Sequence, residues 1–112
     1  MNGKTWGAFC EIMGVNPRNR VLELFLEGHE IDFATGDVAR ITGLNRATTY
    51  NTIKELLDES FINFSRKVSG SQLYKLNLDK PEVKLLIKAF NLVLENMMSQ
   101  YKVPKKKRSI VA

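Results

Sequence analysis

The stretch Asp37–Phe61, DVARITGLNRATTYNTIKELLDESF, decides how this chain folds. A short segment with apolar residues at helical spacing ends at Gly43, and a longer amphipathic segment begins directly after it. Asn45 is a strong N-cap for the second segment, which we predict to be a helix over Arg46–Glu59. The pattern predicts two helices joined by a tight turn, and the question is whether they only fill a small core or read DNA.

The predicted helix Arg46–Glu59 has two chemically different faces. Apolar residues and one threonine recur three or four residues apart along one side, which we expect to be buried. These residues are Thr49, Ile53, Leu56 and Leu57. The opposite side and its flanks, which we expect to be exposed, hold Arg46, Ala47, Thr48, Tyr50, Asn51 and Lys54.

Two further helices are predicted upstream of this pair. A first one spans Thr5–Gly14, with Thr5 as its cap and with inward residues Trp6, Phe9, Ile12 and Met13. A second one starts at Pro17 behind the N-cap Asn16 and stops at Gly28.

The segment between Gly28 and Gly43 predicts a strand and a helix. HEIDF, residues 29–33, alternates and predicts a short strand with Ile31 and Phe33 on one side. The helix that follows spans Gly36–Thr42, and its inward residues are Val38, Ala39 and Ile41.

Downstream, two strands and a long helix are predicted. The strands FINFSRKV (61–68) and QLYKLNL (72–78) alternate, with inward residues Ile62, Phe64, Tyr74, Leu76 and Leu78, and a flexible tip at Ser69, Gly70 and Ser71 joins them. The helix Asp79–Tyr101 begins with capping-box spacing between Asp79 and Glu82.

The apolar residues of this last helix cover more than one of its faces, so it has more than one surface to bury. In a chain this small we expect the second surface to meet another copy, with help from the first helix. The alternative is a single core helix that the rest of the chain covers. The predicted dimer interface holds Trp6, Phe9, Leu86, Phe90, Val93, Leu94 and Met97.

Composition excludes several classes of protein. The chain has 112 residues, one cysteine and one histidine, so neither an internal disulfide nor a cysteine or histidine metal cluster can form. We expect no catalytic residues, no metal, no cofactor and no membrane segment, and a cytoplasmic protein. We divide the chain into a domain over residues 1–101, with a core at 16–78 and a dimerisation helix at 79–101, and a basic tail at 102–112.

The formal net charge is +5, and the positive charge is concentrated in two places. Residues 40–78 hold the helix pair and have an excess of basic side chains, which favours a polyanionic partner. The tail supplies further predicted phosphate contacts through Lys105, Lys106, Lys107 and Arg108. A solubilising tail and an import signal are the alternatives for that segment.

The order of elements, helix-turn-helix followed by a β-hairpin, resembles the winged-helix DNA-binding regulators of the MarR and ArsR type, in particular compact archaeal ones. DVARITGLNRATTYNTIKELLDESFI and RKVSGSQLYKLN carry the resemblance over roughly residues 16–78. It implies an α+β, mainly helical fold with a two- to three-stranded antiparallel sheet and extra terminal helices. Thr49 stands where such regulators usually have Val or Ile, and Ser60 where they often have Gly.

The resemblance also implies a function. The helix from Arg46 would lie in the major groove of double-stranded DNA, and the wing would contact the backbone or minor groove. The wing residues concerned are Arg66, Lys67, Ser69, Gly70 and Ser71. We expect a homodimeric, sequence-specific transcriptional regulator associated with the nucleoid, whose small-molecule effector, if any, the sequence does not identify. The alternatives are a protein–protein assembly module and an architectural chromatin protein that binds DNA without sequence preference.

Overall fold

The computed structural model describes residues 6–101, without the side chains of Met97 and of residues 99–101. The helices are α1 (Ala8–Met13), α2 (Pro17–Glu27), α3 (Thr35–Thr42), α4 (Arg46–Asp58) and α5 (Pro81–Tyr101). The strands are β1 (Phe33–Ala34), β2 (Ile62–Val68) and β3 (Ser71–Leu76), which form an antiparallel sheet in the order β1-β3-β2. This is a mainly helical α+β winged helix, as predicted, with additional helices at both ends.

The predicted start of α2 is confirmed. The Asn16 side chain accepts a hydrogen bond from the backbone N–H of Asn19 at 2.7 Å, and Pro17 occupies the first helical position. The predicted start of α1 is wrong: the helix begins at Ala8 behind Gly7, and Thr5 lies outside the described residues. A long-range contact replaces the local cap, because the Glu23 carboxylate of α2 accepts hydrogen bonds from the N–H groups at the start of α1.

The turn between α3 and α4 follows the prediction closely. Gly43 ends α3 with a left-handed φ of +78°, a conformation that costs glycine little, and its N–H donates to the Ala39 carbonyl. Asn45 then caps α4 by accepting the N–H of Thr48 at 2.8 Å. Leu44, between them, packs against the core and anchors the turn.

A single apolar core lies between the helices and the base of the sheet. Its fully buried members include Val21, Phe25, Val38, Leu56, Ile62 and Val83. Two threonines of α4 are buried as well, and each satisfies its hydroxyl within its own helix. Thr49 donates to the Asn45 carbonyl and Thr52 to the Thr48 carbonyl, so polar atoms sit in the core without loss of hydrogen bonding.

Four residues predicted to face inward in α1 and α3 or in the wing are exposed instead. They are Ile12, Met13, Ile41 and Phe64. In α3, Thr42 takes the inward position, with its hydroxyl bonded to the Val38 carbonyl. In β2 only Ile62 is buried, because the core packs against β3 as far as Tyr74 but does not cover β2 beyond Ile62. Phe64 is consequently 54% exposed.

The strand boundaries also differ from those predicted. The predicted strand at 29–33 is shorter and lies later: Ile31 is exposed, and Phe33–Ala34 pairs with Tyr74 and Leu73 of β3. At the other end, β3 stops at Leu76 because the Asn77 side chain bonds the Ser60 carbonyl and the N–H of Asp79. Leu78 is therefore outside the strand and exposed.

Two predicted boundaries are wrong, one at the tip of the wing and one at the start of α5. The tip of the wing holds only Ser69 and Gly70, both with positive φ as in a type I′ turn, and Ser71 already belongs to β3. The helix α5 begins at Pro81, so Asp79 does not occupy the residue directly before it, and the capping box predicted there is wrong.

Candidate nucleic-acid interface

The two faces predicted for α4 are confirmed. Thr49, Ile53 and Leu56 are buried and Leu57 is half-buried, so this side holds the helix on the core. The exposed side presents Arg46, Ala47, Tyr50, Asn51 and Lys54, and the half-buried Thr48 lies beside them. Within the described part of the chain, the side chains of Arg46, Asn51 and Lys54 form no hydrogen bond or ion pair, so their polar groups face solvent.

Charge is divided along α4. Residues 46–54 contain Arg46 and Lys54 and no acidic residue, whereas Glu55, Asp58 and Glu59 follow at the end of the helix. Arg18 of α2 pairs with this acidic end, at 2.5 Å from Glu59 and 3.5 Å from Glu55. The first nine residues of α4, Arg46–Lys54, therefore form its basic segment.

Asn51 and Thr48 line a groove of about 450 Å³ on the side of α4 that faces the start of α2. The groove is formed by Asn16, Pro17, Arg18, Thr48, Asn51, Thr52 and Glu55. Asn51 and Thr48 bring hydrogen-bonding groups to this groove, although most of its exposed lining is apolar. The contribution of α2 was missed in the sequence, since nothing local places residues 16–18 beside residue 51.

Arg46, Tyr50 and Lys54 face the other way, toward the wing. Tyr50 and Lys54 line a cleft of about 180 Å³ with Tyr74 of β3, and Arg46 lines a neighbouring depression of about 240 Å³. The walls of that depression are Ala34, Thr35, Gly36, Arg46, Ser71, Gln72 and Tyr74. The structure thus brings the predicted residues Arg46 and Ser71 together, and adds the start of α3, which the sequence did not indicate.

Arg66 of the wing forms an ion pair with Asp32 of the same chain. Its Nε and Nη2 donate to the Asp32 carboxylate at 2.8 and 3.3 Å, and the Ser65 hydroxyl donates to the same carboxylate at 2.8 Å. These hydrogen bonds lower the pKa of Asp32 to about 2, and the same pair raises the pKa of Arg66. Lys67, the next residue, is exposed. Asp32 was not singled out in the sequence, because its partner lies more than thirty residues away.

Arg20 of α2 contacts both the end of α3 and the segment before α1. Its guanidinium donates to the Thr42 carbonyl at the end of α3 and lies 5.9 Å from the centre of the Trp6 ring. A cation over an aromatic ring is attracted by the negative face of that ring. Arg20 therefore joins the turn before α4 to the segment that leads into α1.

The predicted dimer residues divide into two groups. Phe9 and Phe90 are 7% and 8% exposed and belong to the core of the single chain, so their prediction as contact residues is not supported. Trp6, Leu86 and Val93 are half-buried, Leu94 is exposed, and the side chain of Met97 lies outside the described part of the structure. The strongly exposed apolar residues of α1 and α5 are others: Ile12, Met13, Leu85, Leu92 and Met98.

An apolar cavity of about 170 Å³ lies between α1 and α5. It is lined by Phe9, Ile12, Met13, Leu86, Ala89, Phe90 and Val93. The basic tail, with Lys105, Lys106, Lys107 and Arg108, lies outside the described residues. Over residues 6–101, no helix is long and apolar enough to cross a membrane, and no three acidic, cysteine or histidine side chains are grouped as metal ligands.

Comparison with solved structures finds a similar fold. The chain is similar to a ferric uptake regulator from Francisella tularensis, solved with iron, with 22% sequence identity and a TM-score of 0.51. The match covers 59% of this chain and 54% of that chain, so this chain spans about half of the length of the regulator it matches. At this identity the likeness supports the winged-helix fold. No family model and no curated protein sequence matches the chain.

Proposed function

We propose that this protein is a transcriptional regulator that binds double-stranded DNA with sequence specificity as a homodimer. The observation that carries the proposal is the segment Arg46–Lys54, the first nine residues of α4. It is capped, packed on the core by Thr49 and Ile53, and it presents Arg46, Asn51 and Lys54 to solvent. The protein with a similar fold is a regulator by its name, which agrees with the proposal. The role is non-enzymatic and needs no cofactor, and its place is the cytoplasm, on the nucleoid.

In this proposal α4 enters the major groove, which is wide enough for a helix and presents a distinct pattern of donors and acceptors for each base pair. Asn51 reads a base, since its amide can bond an adenine bidentately. Arg46 and Lys54 bond phosphates or guanine, and the small side chains of Ala47 and Thr48 permit close approach. Contacts to phosphates position the protein, and contacts to bases give it specificity.

The wing and the tail supply the contacts to the backbone. Lys67 is an exposed cation of the wing, and the turn at Ser69 and Gly70 is small enough to approach a phosphate or the minor groove. Arg66 contributes its remaining N–H groups beside the pair that it forms with Asp32. The tail residues Lys105–Arg108 add phosphate contacts that do not depend on sequence.

The basic segment Arg46–Lys54 of α4 disfavours the assembly-module alternative, since charged residues are depleted from the centre of protein–protein interfaces. An architectural role without sequence preference would use the same surface. Selection of bound duplexes from random DNA separates the two: a regulator enriches a defined site, and an architectural protein does not. Enrichment of no site would overturn the sequence-specific proposal.

The surface is tested by replacing Arg46, Asn51 and Lys54 together with alanine. We expect loss of binding to the selected duplex in a gel shift with an unchanged thermal melt, because all three side chains are exposed. Lys84→Ala, an equally exposed lysine on α5, is the matched control and should bind normally. Asn51→Ala alone should cost about 1–3 kcal/mol at one base position and spare non-specific binding. Intact binding by the triple variant would exclude α4 as the reading helix.

A further inference from the structure

The exposed side of α5 carries a narrow apolar line that the core does not use. Leu85, Ala89 and Leu92 are all exposed, at 67% for Leu85 and 61% for Leu92, and they recur at intervals of four and three residues. This is the spacing at which one helix presents a continuous seam to another helix. Asn96 continues the same line one step further along α5.

The charges beside this seam are placed for a partner of defined direction. Lys88 and Glu95 are exposed, one heptad apart, and therefore flank the same edge of the seam. Consider a second copy of α5 that runs antiparallel, with its Leu92 opposite Ala89. Lys88 then lies only about 3 Å along the axis from Glu95 of the second copy, since a helix rises 1.5 Å per residue. The twofold symmetry makes the reciprocal pair as well.

A parallel arrangement gives no such match. Lys88 and Glu95 of the second copy would then be about 10 Å apart along the axis. Each would also face the other edge of the partner, which is occupied by Leu86 and Val93. Charges beside a helical seam set the orientation of the partner, so the pattern favours antiparallel pairing.

We infer that α5 pairs with α5 of a second copy in an antiparallel seam centred on Ala89 and Leu92 and fixed by two reciprocal Lys88–Glu95 pairs. This inference rests on the homodimer of the proposed function and specifies its geometry. The apolar edge of the seam, with Leu86 and Val93, is continuous with the α1–α5 cavity, which Ala89 also lines. A leucine of the second copy opposite Ala89 therefore lies over the mouth of that cavity. It covers Ile12 and Met13, which the single chain leaves exposed.

Charge exchange tests the direction of the seam. Lys88→Glu converts both attractive pairs into repulsive ones, and we expect the dimer dissociation constant to rise about tenfold, from the typical strengths of exposed pairs. Glu95→Lys should have the same effect, and the double variant Lys88→Glu/Glu95→Lys should return to within about threefold of the starting value. Lys75→Glu, the same charge change on β3 and away from α5, is the control. Single variants without effect, or a double variant that is not restored, would overturn the inference.

Cysteine pairs test the register directly by sedimentation and non-reducing gels, without DNA. Leu85→Cys together with Asn96→Cys should give a covalent dimer, because these residues face each other across the antiparallel seam. Neither single variant should cross-link, since two copies of residue 85 lie about 16 Å apart along the axis and a disulfide needs Cα atoms within about 7 Å. The native Cys10 is buried and does not interfere. Rapid cross-linking of Leu85→Cys alone would show a parallel dimer and overturn the inference.

The two proposals fail separately in these experiments. A chain that stays monomeric at tens of micromolar and still binds a selected DNA site overturns the seam and leaves the DNA-binding function in place. A chain that shows the antiparallel register and binds no DNA overturns the proposed function and leaves the seam.

Discussion

Glu23→Gln tests how α1 is held on the domain. Glu23 is 4% exposed, and its carboxylate accepts the N–H groups of Gly7 at 2.8 Å and Cys10 at 3.0 Å. Glutamine has the same shape but turns one acceptor into an NH₂ donor, which then faces a backbone donor. A hydrogen bond to a charged group contributes about 1.5–3 kcal/mol, so we expect the free energy of unfolding to fall by that amount.

Glu23→Ala removes both acceptors and sets the upper bound of the effect. Its cost cannot exceed the free energy with which α1 docks, since a six-residue helix can detach before the domain unfolds. We expect a loss of about 2–4 kcal/mol in local stability. Circular dichroism reports the global transition in urea, and the fluorescence of the single tryptophan, Trp6, reports the release of α1 separately. The tryptophan transition should occur at a lower urea concentration than the global one.

Glu27→Gln is the matched control, one turn later on α2. Partial burial raises the pKa of Glu27 above its ordinary value of 4.5, and the negative charge of Glu23 raises it to a smaller extent. A raised carboxyl pKa means that the folded state holds the proton more tightly, so Glu27 reduces stability as pH rises above that value. Glu27→Gln should therefore be neutral or slightly stabilising at pH 7. If Glu23→Gln also leaves stability within about 0.5 kcal/mol, the capping role assigned to Glu23 is refuted.

Three further outcomes are expected. Ser60 has a left-handed φ of +62°, so Ser60→Gly should raise stability by about 0.5 kcal/mol in urea, after the entropy cost of glycine, and a lower midpoint would contradict this. Hydrogen bonds from Arg66 and Ser65 lower the pKa of Asp32 from 3.8 to about 2, so the pair should stabilise the wing above about pH 4 and be lost between that pH and 2. A carboxyl carbon of Asp32 that titrates by NMR at its ordinary value would disprove the pair, and Asp32→Asn should abolish the pH dependence. Deleting residues 102–112 should reduce the slope of log affinity against log salt by about 0.9 per lost phosphate contact, and an unchanged slope would mean that the tail does not touch DNA.

The features that the sequence predicted are those with a local physical cause. Asn16 and Asn45 cap the helices that follow them, and Gly43 has the positive φ that a tight turn between helices requires. The two faces of α4 follow from helical periodicity, which a thirteen-residue helix displays clearly. Each of these signals depends on residues within one or two turns of one another, so no knowledge of the tertiary fold was needed.

The features that the sequence did not predict depend on residues far apart in the chain. The start of α1 is set by Glu23, and the outer half of β2 is joined to the segment before β1 by the contact between Arg66 and Asp32. The alternation in β2 predicted a buried Phe64, but burial requires something to pack against, and the core covers β3 as far as Tyr74 without covering Phe64 of β2. Periodicity indicates which residues share a face. It does not indicate whether the rest of the fold covers that face.

The polar residues of α2 explain how the two proposed surfaces can be held in one fixed geometry. Arg18 pairs with the end of α4, Arg20 bonds the last carbonyl of α3, and Glu23 caps α1, all from the first two turns of the same helix. The proposed reading helix and the helix that borders the α5 seam are thus both fixed to α2. A dimer that reads two half-sites needs a constant distance between its reading helices, since half-sites are spaced by turns of the DNA helix. Because α2 holds both α1 and α4 through charged side chains, it keeps the distance between the proposed reading helix and the α5 seam constant. In the proposed dimer we therefore expect Glu23→Ala, far from α4, to weaken specific DNA binding by changing the distance between the two reading helices, while non-specific affinity, which depends on the exposed cations, should be preserved.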